Sequence, residues 1–546
     1  MKVINIDKVV AYAAIVVTLI FTPVNFDALI IPKISIIFIL ALYILPLVLL
    51  NLKLFFKDLR FKILLVLSIL ILIQMIVVII HSEAPFAQEL YGRTGRGLGF
   101  ITFFGLTIIL LVVSISSKIE SGKHIVFGIV VSGLLSSSYA LLQRFSLDPF
   151  NWNSRTNGII GTLGNPNFQS SFAAMVFVPT LVFFWYKKYK IFLIPVTATL
   201  LILALYFTQS TQGYIGLSVA LLVFFLAFSW FRNKYFSLFL ASIGVVVSVF
   251  AIAGMLNRGP LSYWLYKISV QSRGDFWRSA FAASNDNPFL GVGIDSFGDA
   301  YLTYRDQTAF NHSFAEITDN AHNYLLEYAV TGGYPLAILH LGIILLTLFS
   351  FYNLQTKLKS FNPQLTAIFC FWVVFLLQSL VSPGTVSLIL WNYIVSGFII
   401  GANIRYSSKA EKDTQNLKIN LKSNVTFGMA LAILGTFIAY PLFNSDRSLL
   451  KGLNSRNANL VITALNSFPQ SSVKYNIFGQ EILRSNLPDQ ALEVAREATE
   501  FNPNAVSAWG LIFSNPNATK AERIEARDQI IRLDPLNQEV FKFDIS

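Results

Sequence analysis

Apolar residues run along this chain in long unbroken stretches rather than at alternating or helical-face spacing. Thirteen such runs fall near 9–23, 28–50, 61–80, 98–116, 124–143, 168–186, 190–208, 213–230, 236–254, 334–352, 364–381, 385–403 and 424–443. Each has about the twenty residues that the hydrocarbon core of a bilayer demands, so each predicts a membrane-spanning helix. An odd number of spans puts the two termini on opposite sides. The central portions of the runs carry no Asp or Glu; Lys33 lies near a span end and His340 early in its span. Proton- and ion-coupled transporters keep acids at membrane depth despite their cost, so the pattern favours chemistry at a membrane surface over passage through it.

Two stretches break the alternation of run and short gap. Residues 255–333 hold aromatics, glycines and spaced arginines, which predicts a folded loop resting on the membrane. Residues 444–546 are polar, with Pro469, Pro503 and Pro535 spaced 34 and 32 residues apart. Helical patterns lie between the prolines. Helix pairs closed by proline at this period match tetratricopeptide repeats, although a plain α-hairpin domain fits the same pattern. The fold class predicted is all-α: a polytopic helical membrane protein of about 12–13 transmembrane helices over 1–443, with a large extracytoplasmic loop at 255–333 and a helical-repeat domain at 444–546.

Composition agrees. Of 546 residues 54% are hydrophobic and 13% charged, too few charges to cover a soluble surface of this size. The net charge of +12 would suit a nucleic-acid partner, but its distribution argues against one. With the N-terminus taken as cytoplasmic, the inner gaps hold 20 lysines and arginines, whereas the short outer gaps hold only Arg93, Arg96, Arg144 and Arg155. The positive-inside rule then places the N-terminus in the cytoplasm and the 444–546 domain outside. Cys370 is the single cysteine, so no intrachain disulfide forms. No cleavable signal peptide is evident, and the first run reads as the first span.

Polar chemistry gathers on the outer face in four places. "LYGRTGRGLGF" brings Arg93 and Arg96 to the mouth of a span, and "GTLGNPNFQSSFAA" brings Asn165 and Asn167 to another. "QSRGDFWRSA" carries Arg273 and Arg278, and "TDNAHNYLLEYAVTGGYP" carries Asp319 and His322. Arginine forks hold phosphate oxygens bidentately, and several together can neutralise a diphosphate. No HExxH, CxxC, paired Asp-x-Asp or phosphate-binding GxxxxGK[ST] occurs, so neither metal nor cofactor is expected. Singly, each feature has a plainer reading: an interfacial arginine anchors lipid headgroups, "GNPNF" is a turn and helix cap, and a lone histidine is solvated. Their convergence on one face is what calls for an anion.

The pair "GTLGNPNF" and "SRGDFW…NPFLGVGIDSFG…DNAHNYLLEYAVTGG" resembles the O-antigen ligase and polymerase superfamily of bacterial membrane glycosyltransferases, over roughly 90 to 440. The resemblance implies transfer of a glycan from a polyprenyl-diphosphate-linked donor, at the outer face of the bacterial plasma membrane, to an acceptor that is lipid A core, a growing glycan or a protein. The family's histidine matches His322 and one of its arginines Arg273. A second family arginine lies in a Ser-Arg-Gly at the start of a middle span; here the stretch is "TQSTQGYIG", and Gln212 stands in its place. Tetratricopeptide tails also occur in the superfamily, so a protein partner for 444–546 is expected. Asp319 is expected to cap a helix beginning at Asn320, which puts His322 in its first turn and keeps it neutral. His322 would then act as base and Arg273 as anchor of the leaving diphosphate, helped by Arg278, Arg93 or Arg96, in one inverting displacement. A repeat-unit polymerase and a non-enzymatic transporter or scaffold are the alternatives.

Overall fold

The computed structural model describes residues 6–150, 152, 158–314, 316–407 and 421–537. Arg155 and most of the basic gap at 404–422 lie outside the described residues. Every regular element among the described residues is helical, and the protein is a polytopic helical membrane protein. Ten helices are long and apolar enough to cross a membrane. Phe100–Ser116 and Pro363–Ser379 are apolar but shorter. Ile6–Leu19 has 14 residues, which spans only about 21 Å at 1.5 Å per residue. The thirteen expected runs thus become thirteen apolar helices, three of them short.

The helices differ in what they face. Val386–Ser407 is enclosed by its neighbours from Val386 to Arg405. Its Trp391 indole N–H donates to Thr18 at 3.0 Å, and Trp372 of the adjacent helix donates to Ser396 at 3.0 Å. Both polar groups are therefore satisfied in an apolar interior, where an unpaired one is costly. Lys234–Met255, by contrast, exposes Phe239, Val245, Val247 and Val249. Such an apolar surface is stable only against lipid or another apolar surface.

The 255–333 segment is folded. Its helices Ile268–Asp286 and Phe297–Tyr304 pack Phe276, Ala280, Phe297 and Tyr301 against Ala321, Leu326 and Ala329. The following helix, Tyr324–Lys357, is broken at Gly333, whose φ of 74° suits glycine. There the backbone N–H of Tyr334 donates to Pro288, and that of Val292 donates to Val330, both at 2.8 Å. The loop is thus stitched to the start of its own downstream span.

Helix Leu421–Asn454 continues without a break through residues 443 and 444. Five shorter helices follow, Ala458–Leu465, Ser472–Arg484, Pro488–Phe501, Val506–Ser514 and Lys520–Leu533. Sequence neighbours among them pack together, and Pro469, Pro503 and Pro535 punctuate successive pairs. This tail folds back onto the 255–333 segment. The buried Arg305 Nη2 donates to both Asp534 carboxylate oxygens at 2.8 Å, and in the 92–98 turn Thr94 meets Ser471 at 2.7 Å.

Candidate functional site

The site is built where the 255–333 segment meets the turns at 92–98 and 380–384. Its centre is the turn 318–323. The Asn320 side chain accepts the His322 backbone N–H at 2.8 Å, and Glu327 curls back to accept that of Ala321 at 2.7 Å. These bonds hold His322 at a φ of 54°, in the left-handed region, which His tolerates better than most residues. The helix therefore starts later than expected. Its N-cap is Asn323, which accepts from Leu326 at 3.1 Å, and its first residue is Tyr324. Asp319 does not cap it, and His322 precedes the cap instead of sitting in the first turn. The reason is local competition: the side chains of Thr318, Glu327 and Asn320 accept the N–H groups of 320, 321 and 322 in turn and hold His322 at a positive φ that a helix cannot include.

His322 is nonetheless neutral, for a different reason. Burial is the largest cause, and the cations Arg96 and Arg273 add to it; together they bring the imidazole down to about 4. Nδ1 lies 3.0 Å from the Asn320 carbonyl oxygen. A carbonyl only accepts, so Nδ1 carries the proton and Nε2 presents its lone pair. The ring packs 5.1 Å from that of Phe276.

The arginines divide into two kinds. Arg96 forms a bidentate fork with Asp319 at 2.9 and 2.6 Å, and Arg93 pairs with Asp299 at 2.7 Å. Burial alone would raise Asp319, but Arg96 outweighs it and brings the carboxyl down to about 2. Asp295 accepts the backbone N–H groups of Arg93 and Leu98 at 2.7 and 3.1 Å, yet burial still pushes it up to about 6. Arg278 bonds Asp306 at 2.5 Å and Asp275 at 2.7 Å. It lies five residues from Arg273, roughly 140° around the helix, and is turned toward His312 rather than His322. Arg273 differs from all three. Its guanidinium donates to the carbonyls of Val381 at 2.5 Å and Ser269 at 2.6 Å, and no carboxylate pairs with it among the described residues. Burial lowers its pKa.

One element of the site was missed in the sequence: the turn "LVSPG" at 380–384, after helix Pro363–Ser379. Leu380 accepts from Asn323 at 3.2 Å, Val381 accepts from Arg273, and Ser382 donates to Gln212 at 2.8 Å. This turn brings His322's neighbour, Arg273 and Gln212 to one place. A Ser-Pro-Gly turn between two apolar runs was the available signal. Asn167 accepts from Ser210, the residue before helix Thr211–Trp230, at 2.7 Å, and so supports the helix start that carries Gln212. Asn165 is the N-cap of Pro166–Trp185, accepting from Asn167 at 2.8 Å. Gly161 and Gly164 both take positive φ in the turn before it, as their tight turn requires. His340 lies apart: its ring bonds Leu336 and Tyr393 and stacks on Tyr328 at 3.8 Å, a satisfied core histidine.

Beside the site an apolar groove of about 280 Å³ runs between Trp277, Phe281, Leu325 and Ile338, with Asn323 on its wall. Among the described residues no three His, Cys, Asp or Glu side chains converge as a metal-binding set.

Against known proteins, a family model described as O-Antigen ligase matches residues 196–341. The matched stretch includes Gln212, Arg273, Arg278, Asp319 and His322, and it supports a membrane glycan-transfer role of that superfamily. No curated protein matches the chain.

Proposed function

We propose that the protein transfers a glycan from a polyprenyl diphosphate to an acceptor hydroxyl at the outer face of the bacterial plasma membrane, with the N-terminus in the cytoplasm and the tail outside. The observation that carries this reading is an arginine, Arg273, with no carboxylate partner among the described residues, beside a neutral histidine whose Nε2 has no hydrogen bond among them, at the edge of an apolar groove. The acceptor is lipid A core, a growing glycan or a protein.

In this reading the polyprenyl chain lies along the groove at Trp277 and Phe281, and its diphosphate meets Arg273. The Arg273 carbonyl partners are dipoles, so an anion can take over the guanidinium without separating an ion pair. The acceptor oxygen attacks the anomeric carbon as the bond from that carbon to the phosphate oxygen breaks. The hydroxyl proton passes to His322 Nε2. The electron pair of the broken bond leaves with the diphosphate, held by Arg273. A single displacement inverts the anomeric centre. His322 starts as a weak base because of burial, Arg96 and Arg273. Binding a diphosphate offsets the positive field of the arginines, so the imidazole becomes a stronger base when donor is present.

Gln212 occupies the place of a family arginine and offers a neutral amide instead. The tail, with prolines at tetratricopeptide-like spacing, is assigned to partner or acceptor recognition. The test is reconstitution in nanodiscs with a polyprenyl-diphosphate-linked glycan and a candidate acceptor. The reading expects acceptor glycosylation and release of polyprenyl diphosphate; intact donor under every acceptor tried would remove it. Reporter fusions test the orientation: a periplasm-active reporter is expected to be active at the C-terminus and silent after Lys359.

A further inference from the structure

A second cavity, of about 440 Å³, lies between the end of helix Leu59–His81, the 255–333 segment and the tail. This is within the range of about 300–1,000 Å³ found for ligand sites. Its polar wall includes Glu83, Thr303 and Tyr304 on one side and Asn502, Asn504 and Arg532 of the tail on the other, with Asp299 between them.

The tail wall is fixed in place. The Arg305–Asp534 ion pair that holds it has side chains only 1% and 4% exposed. Thr303 donates to the Leu533 carbonyl at 2.9 Å, and Asn502 donates to Asp299 at 3.1 Å. A tail serving only as a tether would need no such lock, whereas a cleft wall needs a set width. Arg532 bonds Asn504 at 3.2 Å and Gln529 at 2.9 Å, with no carboxylate partner among the described residues. Amides, hydroxyls, a guanidinium and a phenol ring suit vicinal sugar hydroxyls, which donate and accept at once, and a ring face that packs on an aromatic. They do not suit a lipid chain. The cleft also adjoins the site across a shared wall. The second oxygen of Asp299 binds Arg93, and Gly298 lies against the Asp319 backbone, three residues before His322.

We infer that this cleft between loop and tail binds a short run of pyranose rings and guides the glycan toward His322. The inference rests on the glycan-transfer reading and names where the sugar lies. The glycan belongs to the donor or to the acceptor; the chemistry is shared.

The test uses the full-length protein in nanodiscs and fluorescently labelled oligosaccharides, released by mild acid from the envelope of the producing cell. Asn504→Trp fills the cleft, Tyr304→Ala removes the ring, and Asn504→Ser keeps a hydrogen-bonding side chain as the conservative control. The wild type is expected to bind the probe saturably. The first two variants are expected to bind about tenfold more weakly, a difference of about 1.4 kcal/mol, and Asn504→Ser close to wild type. Where transfer runs, a loss seen with a long-glycan donor but not with a one-sugar donor assigns the cleft to the donor. A raised acceptor KM alone assigns it to the acceptor. Probe binding that the cleft variants weaken, in a protein with no transfer, keeps the inference and removes the transfer reading. Transfer with probe binding, donor affinity and acceptor KM all unchanged in folded Asn504→Trp and Tyr304→Ala overturns the inference and leaves transfer standing.

Discussion

Two arginine-bearing corners meet at His322, and they are built on opposite principles. At the 92–98 turn, Arg93 and Arg96 each face a carboxylate, Asp299 and Asp319, within 2.7 Å. At the 380–384 turn, Arg273 faces, among the described residues, the carbonyl oxygens of Val381 and Ser269 and no carboxylate. The first corner is electrically balanced before any ligand arrives, so its cations hold the loop to the membrane domain. The second carries an unbalanced charge in a partly enclosed setting, which an anion would relieve. The number of arginines on a face is therefore a poor guide to where a diphosphate binds; the carboxylates around each one decide it.

The comparison is broken most severely at the balanced corner. Arg93→Ala leaves Asp299 without its cation where both side chains are largely buried. Breaking such a pair typically costs about 3–5 kcal/mol of stability, so chemical unfolding in detergent should shift markedly. An unchanged unfolding curve with loss of donor affinity would invert the assignment of the two corners. Arg273→Ala should do the reverse. It removes no ion pair, so stability should hold, while donor affinity falls by roughly 1.5–3 kcal/mol, the worth of a hydrogen bond to a charged group. Arg273→Lys should restore only part, because a point charge lacks the fork. Equal donor affinity in wild type and Arg273→Ala would sink the anchoring role.

Smaller effects sharpen the picture. The free-enzyme imidazole of His322 lies at about 4, so kcat/KM should stay nearly flat from pH 7 to 5 and fall only through about pH 4, as the ring takes up a proton and can no longer accept one. The sign is set by the neutral form being the base. An acid limb centred near 6.5 would mean that the ring is not shielded as described. Gln212→Arg should have the least effect, since Ser382 already engages Gln212 and Arg273 supplies charge nearby. A large gain in transfer would show that the site is short of one cation.

Much of the fold was legible because lipid imposes it. Every expected span has its helix, since a bilayer leaves the backbone few alternatives. The loop and the tail were legible as folded segments, the tail's pairs from three prolines. What sequence did not reveal was how these parts close on one another. The Arg305–Asp534 lock joins positions 229 residues apart, and neither residue belongs to a motif. The site followed the same division. The sequence singled out His322 and Arg273 through the resemblance, but not the 380–384 turn that Arg273 and Asn323 both bond. The early helix start at Asn320 was wrong because Asn320 and Glu327 bond the backbone from the side, an effect of geometry and not of propensity. The pairing of Arg93 and Arg96 with carboxylates also escaped, because Asp299 and Asp319 lie more than 200 residues away in sequence.

The most direct test of the central claim is the transfer rate of His322→Ala in protein shown to be folded, in the membrane and able to bind donor. The account predicts that donor still binds, because Arg273 and the apolar groove are untouched. It predicts that transfer falls by about 10²–10⁴-fold, the usual contribution of a positioned general base. Transfer at the wild-type rate from this variant would contradict it, and would leave His322 as a residue of the turn before helix Tyr324–Lys357 with no part in the chemistry.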